Sequence, residues 1–157
     1  MYQKGQFHDA ISYISAGLEG FILQNNIQAQ SQAYSHLGHC YLELGEMVKA
    51  LEHFQKGLKV ARSREFPTEM SSIYQGLGKL YMRMEGYKDA ITNLNKALSI
   101  RLEKSYWTEA CESYLTFYML YKTLQNQEEA DKYWQKGYAL SKVHGMEHWQ
   151  SQYEEHK

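Results

Sequence analysis

The chain has 157 residues, 43% of them hydrophobic, and a formal net charge of −1. That length suits one compact domain or one short solenoid, and the apolar fraction excludes a chain disordered throughout. The 17 basic residues are interspersed with 18 acidic ones and no run of eighteen apolar residues occurs, which argues against a nucleic-acid surface and against a membrane span.

The opening Met1-Tyr2-Gln3-Lys4-Gly5-Gln6 lacks the apolar core of a secretory signal, and Cys40 and Cys111 stand alone. Both features fit a reducing, cytoplasmic setting. Pro67 is the one proline, as a helical chain requires. The first helix is expected over 7–24, where Ile11, Ile14, Leu18 and Ile22 share one stripe. The second, over 28–44, carries Tyr34, Leu37, Gly38 and Tyr41 at spacings of three and four, the signature of a helical face. A third follows over 46–63 with Ala50, Phe54 and Gly57. The fourth, 67–84, opens on Pro67, which a first helical turn tolerates, and carries Tyr74, Leu77, Gly78 and Tyr81. Then come 87–103 with Ala90, Leu94 and Ala97, 106–124 with Tyr114, Phe117, Tyr118 and Tyr121, and 127–143 with Ala130, Trp134 and Gly137. A last helix begins near Glu147. Each helix of ~17 residues is roughly 25 Å long. Glu128 and Glu129 open theirs, where acids favour the helix dipole.

These helices belong to a repeat. Ala10, Ala50, Ala90 and Ala130 are forty residues apart. Each is followed four residues later by a large group (Ile14, Phe54, Leu94, Trp134) and three further on by a small one (Gly17, Gly57, Ala97, Gly137). The pattern reads as a helix A, a tight turn and an antiparallel helix B. Glycines inside helices cost about 1 kcal/mol each relative to alanine, so their recurrence signals backbones in close approach. Tyr118 stands where Gly38 and Gly78 stand, and is expected to part or tilt its helix pair. The six recurring tyrosines (Tyr34, Tyr41, Tyr74, Tyr81, Tyr114, Tyr121) read as packing between A and B rather than as a stacking platform.

Tyr-x-x-Leu-Gly-x-x-Tyr on helix A, then Ala and Phe, Leu or Trp four apart on helix B, resembles the tetratricopeptide repeat family, in the long forty-residue form found in bacterial signalling and regulatory proteins. The usual repeat is 34 residues. The resemblance implies an all-α fold, a right-handed α-solenoid of antiparallel helix pairs. It divides the chain into a half repeat 1–26, repeats 27–65, 66–105 and 106–145, and a partial capping helix 146–157. In this register Met1 and Tyr2 end an A helix and residues 147–157 start another. The expectation is a piece of a longer chain, or a homodimer that uses the exposed solenoid ends to cover the bare stripe of the first helix. Leaving such side chains exposed costs roughly 1.5–3 kcal/mol each.

Catalytic chemistry finds no residues here: nucleophile elbow, phosphate loop and glycine-rich nucleotide turn are all absent, so the chain is not expected to be an enzyme. His36 with Cys40, and His144 with His148, have a spacing usable by zinc, but no further pair stands at metal-site spacing. No metal or cofactor is expected. The resemblance instead places function on the concave face lined by the A helices, as a scaffold for a protein or peptide. By register its residues are Gln32, Ser35, His39 and Leu42, then Ser72, Gln75, Lys79, Met82 and Arg83, then Glu112, Leu115, Met119 and Lys122. Three cations and several apolar groups suit an acidic or amphipathic segment. The alternative is a regulatory or sensor segment of a larger signalling protein or transcription regulator, acting through dimerisation or a change of curvature. The Lys/Asn clamp of chaperone-tail binders is not reproduced at Ser35, His39, Gln75 and Lys79. The asparagines by which related peptide receptors grip a backbone are not on A helices either: Asn25, Asn26, Asn93, Asn95 and Asn126 fall on B helices or turns. Response-regulator phosphatases of this kind carry an extra N-terminal bundle that is not in this sequence.

Overall fold

The computed structural model describes residues 4–157; Met1 and Tyr2, assigned by register to an A helix, lie outside the described residues. Eight helices follow one another: α1 (Lys4–Leu23), α2 (Ile27–Glu43), α3 (Met47–Ser63), α4 (Pro67–Arg83), α5 (Tyr87–Glu103), α6 (Trp107–Thr123), α7 (Gln127–Val143) and α8 (Glu147–Glu155). From α2 onward their first residues are twenty apart, so the forty-residue repeat consists of two units of equal length. None of these helices is long and apolar enough to cross a membrane.

The unit length comes from the turn. Asn25, Gly45, Glu65, Glu85, Ser105, Gln125 and Gly145 all have positive φ, between 52° and 78°. The residue after each donates its N–H to the carbonyl five positions back, as in Asn26 to Phe21 (2.9 Å), Tyr106 to Arg101 (2.8 Å) and Met146 to Ser141 (2.8 Å). This closure satisfies carbonyls that a helix end leaves free and reverses the chain in three residues. The same residue is the N-cap of the next helix. At two turns its side chain caps as well, with Asn26 Oδ1 accepting from the Ala29 N–H and Asn126 Oδ1 from the Glu129 N–H.

Within each repeat the A helix (α2, α4, α6) packs on its B helix (α3, α5, α7). Successive A helices also touch, α2 on α4, α4 on α6 and α6 on α8, whereas odd-numbered helices touch even-numbered ones alone. The glycines make the approach possible. A Cβ on Gly38 would lie 2.5 Å from the Phe54 ring, and one on Gly76 would strike the same ring. Phe54, fully buried, is thus clasped between α2 and α4. Leu94 meets Gly78 in the same way, at 2.5 Å from the virtual Cβ.

Tyr118 does not part its helices as its size suggested, since α6 and α7 pack closely like the other pairs. Its ring is buried, and its hydroxyl donates to the His156 carbonyl at 2.5 Å. Trp134, the counterpart of Phe54 and Leu94, lies partly exposed, stacks on Tyr138 (4.9 Å, 18°) and donates its indole N–H to the Tyr153 carbonyl at 2.7 Å. Rings of Phe117, Tyr121 and Tyr133 fill the α6–α7 seam, with Tyr133 stacked 4.5 Å from Phe117 and 5.5 Å from Tyr121. The rearrangement holds α8, whose Tyr153 is fully buried over Gly137 and donates its hydroxyl to the Cys111 carbonyl at 2.5 Å. Burial pushes the neighbouring Cys111 thiol up to about 11, as befits a small packing residue. At the other end no α1 side chain is fully buried, and Tyr13 is 85% exposed beside a groove shared with Ala33 of α2.

Two consequences are measurable by urea unfolding. Gly38→Ala gains helix propensity but forces the Phe54 ring to move, so a net loss of about 1–2 kcal/mol is expected, largely restored by adding Phe54→Leu. Glu65→Gly relieves a non-glycine residue in the left-handed region and should raise stability by about 0.5–1 kcal/mol.

Candidate functional site

A helix of 17 residues lying beside another has one side for its neighbour, one for its hairpin partner and a remainder facing solvent. The even-numbered helices present such a remainder side by side. Of the residues assigned to this face by register, Gln32, Arg83, Met119 and Lys122 are exposed, and His39, Ser72, Lys79, Met82 and Glu112 are half-buried. Ser35, Leu42, Gln75 and Leu115 are not available to a partner. Leu42 is 1% exposed and packs with Ala50 and Phe54, and Leu115 packs with Tyr118 and Tyr153. Ser35 and Gln75 face the next A helix, where Ser35 shares a hydrogen bond with Ser72 (3.2 Å) and Gln75 Nε2 donates to Thr116 Oγ1 (2.8 Å). The direct contact between A helices turns Ser35 and Gln75 inward, and the apolar core takes Leu42 and Leu115.

The polar residues form a connected system. Lys79 donates to Glu112 at 2.5 Å, and Arg101 reaches the other oxygen of that carboxylate at 3.3 Å. Arg101, on the last turn of α5, is 3% exposed and donates to Gln75 Oε1 (3.0 Å), Ser113 Oγ (2.7 Å) and the Glu109 carbonyl (2.8 Å). Ser113 also donates to Gln75 Oε1, at 2.9 Å. Arg83 donates to the Leu42 carbonyl and stands 3.6 Å from Glu43. Lys122 donates to Gln127 at 3.3 Å.

Arg101, Ser113 and Thr116 do not follow from the A-helix register. The repeat does hold a signal for them: position 101 corresponds to Ala61 and Ser141, and position 113 to Ile73 and Tyr153. A large cation in an alanine register, opposite a serine in a large-residue register, marks a core turned polar. Among the described residues no group of three or more His, Cys, Asp or Glu is placed to hold a metal ion.

Two titrations are set by this surroundings. Burial, reinforced by the Lys79 ammonium, lowers His39 from 6.5 to about 4, and its Nε2 lies 3.3 Å from Ser72 Oγ with the ring edge-on to Phe54. Burial alone would raise the Glu112 carboxyl, but Lys79 and Arg101 outweigh it and hold Glu112 below the ordinary value. A neutral His39 in the fold means that the unfolded chain binds more protons between those two values. Stability from this group is therefore complete above pH 6.5 and declines as pH falls toward 4, by on the order of 2–3 kcal/mol. The Glu112 contribution is lost at lower pH, below its ordinary value of 4.5. Unfolding free energies measured from pH 7 to 4.5 should show this slope in the parent chain and a much flatter one in His39→Asn.

Residues 29–103 match the family model of the tetratricopeptide repeat. Heat shock protein STI1 of Saccharomyces cerevisiae is 29% identical over 70 residues, which cover 44% of this chain and 12% of STI1. Aspartyl phosphate phosphatase F from Bacillus subtilis superposes with a TM-score of 0.86 at 22% identity, over 96% of this chain and 39% of that one. The apo form of RapI gives 0.83 at 20% identity, over 94% of this chain and 54% of RapI. MamA gives 0.60 at 18% identity, over 93% of this chain and 99% of MamA. The chain thus spans a small part of STI1 and between 39% and 54% of the first two structures. At these identities the three structures speak for the fold alone. Residues 29–103, just under half of the chain, thus carry the tetratricopeptide repeat, and the helices on both sides of that segment keep its forty-residue spacing.

Proposed function

We propose that the chain is a scaffold that binds a protein or peptide segment along the face formed by α2, α4 and α6. The observation that carries this reading is the contact pattern. A curved stack brings its inner helices closer than its outer ones, and here the even-numbered helices touch one another while the odd-numbered do not. Extended concave surfaces of this kind are what solenoids offer to partners. The partner segment is acidic and amphipathic in this reading. Lys79 shares Glu112 with Arg101, and Lys122 adds a further, exposed cation on the same face. Arg83 is paired with Glu43 at an exposed site, where an ion pair is weak enough to exchange with an incoming carboxylate. Met82 and Met119 supply adaptable apolar contacts between the cations.

A regulatory segment of a larger protein is the second reading. It draws on one observation, that the fold extends over 96% of this chain but 39% of the phosphatase it resembles.

A photo-crosslinker placed at Met119, and separately at Gln55 on the exposed side of α3, tests the first reading in lysate of the source cells. Crosslinking of one protein through Met119, reduced by Lys79→Gln with Lys122→Gln, is the expected result. Crosslinking through Gln55 alone, or crosslinking through Met119 that is indifferent to both lysines, would refute it.

A further inference from the structure

The two junctions between A helices start from the same geometry and end with different chemistry. Between α2 and α4, Gln28 Nε2 donates to Glu69 Oε1 at 3.3 Å, and Glu69 is 4% exposed. Forty residues on, the corresponding pair is Thr68 and Glu109. Threonine is too short to repeat the contact, and its hydroxyl turns instead to Tyr106 at 3.2 Å. The second junction has beside Thr68 a cavity of about 300 Å³, lined by Thr68, Ser72, Arg101, Tyr106, Glu109 and Glu112. The Glu109 side chain accepts no hydrogen bond among the described residues, and Arg101 Nε, though buried, has no acceptor.

Charge decides what such a cavity takes. An anion would stand against Glu109 and Glu112, and a cation against Arg101. A neutral group that both donates and accepts meets neither objection, and can bond the exposed Glu109 carboxylate on one side and the buried guanidinium on the other. A buried polar atom without a partner costs about 1–3 kcal/mol, so satisfying one on binding favours the complex. The first junction shows the group in place, a carboxamide on a carboxylate. We propose that the cavity between α4 and α6 is a subsite for one glutamine or asparagine side chain of the bound segment, its carboxamide donating to Glu109 and accepting from Arg101. This rests on the reading that the face of α2, α4 and α6 binds a peptide segment.

N-acetylglutamine methylamide is the probe, with the corresponding glutamate and lysine compounds as comparators, followed by amide NMR shifts of the whole chain. The glutamine probe should produce saturable shifts at Thr68, Ser72 and Glu109 that neither comparator produces. Thr68→Gln, whose own side chain reproduces the Gln28–Glu69 contact, should abolish them without lowering the unfolding temperature. Glu109→Ala, at an exposed position, should abolish them as well and serves if Thr68→Gln fails to fold. Unmoved amides in the parent, equal shifts from all three probes, or shifts retained in both variants would overturn the proposal. Partner crosslinking through Met119 reports separately: if it persists while the probe leaves the parent unmoved, the subsite falls and the binding face stands. If it is lost, the binding face falls whatever the probe does.

Discussion

Everything in this fold depends on a chain reversal of constant length. Each helix from α1 to α7 is followed by a residue with left-handed backbone and by the hydrogen bond that closes six residues, and the next helix starts at once. One residue more or less would rotate the following helix by roughly 100°. Gly38 would then no longer face Phe54, nor Gly78 face Leu94, and the A–B seam would meet side chains where it needs bare backbone. Five of the seven reversals are made by non-glycine residues, Asn25, Glu65, Glu85, Ser105 and Gln125. The geometry is therefore imposed by the packing on either side as much as by local preference.

Constant shape leaves the chemistry of each junction free to differ. One repeat after Ser35, Ala61, Ile73 and Gly76, the equivalent positions hold Gln75, Arg101, Ser113 and Thr116. The second set forms a buried hydrogen-bonded system centred on the Arg101 guanidinium. A buried charge left unpaired is costly, and partners at well-formed distances are needed to offset its desolvation. Arg101 of α5 gains them from α4 and α6, so the network fixes the relative position of three helices that apolar packing alone would hold less specifically. The same network places the Glu112 carboxylate that orients Lys79 on the proposed binding face.

The helices, their pairing and their ends were legible in the sequence because the repeat states each of them four times. Periodicity located every helix to within a few residues, and the alanines and glycines identified the seams. The turn was less legible: Glu65, Glu85 and Gln125 give no hint of left-handed backbone, and only the spacing betrays it. The face residues were half legible. Register identified the side of helix A but not how tightly neighbouring A helices approach, and so Ser35, Leu42, Gln75 and Leu115 were assigned to a surface they do not reach. Arg101 lies on a B helix, outside any face rule, and emerges only when the repeats are compared position by position. Tyr118 shows the limit of reasoning about one residue at a time, because its partner Trp134 moved in response.

The two ends of the stack differ in how firmly they are held. In a repeat array each unit is stabilised by its neighbours, so opening proceeds inward from an end. The α8 end is pinned by a buried tyrosine and by hydrogen bonds from Trp134 and Tyr153. The α1 end has no fully buried side chain. Amide protons of α1 therefore exchange with solvent ahead of those of α4 and α6, and proteolytic trimming advances from that side. Under tension the molecule peels in one direction, beginning at the helix that has buried the least.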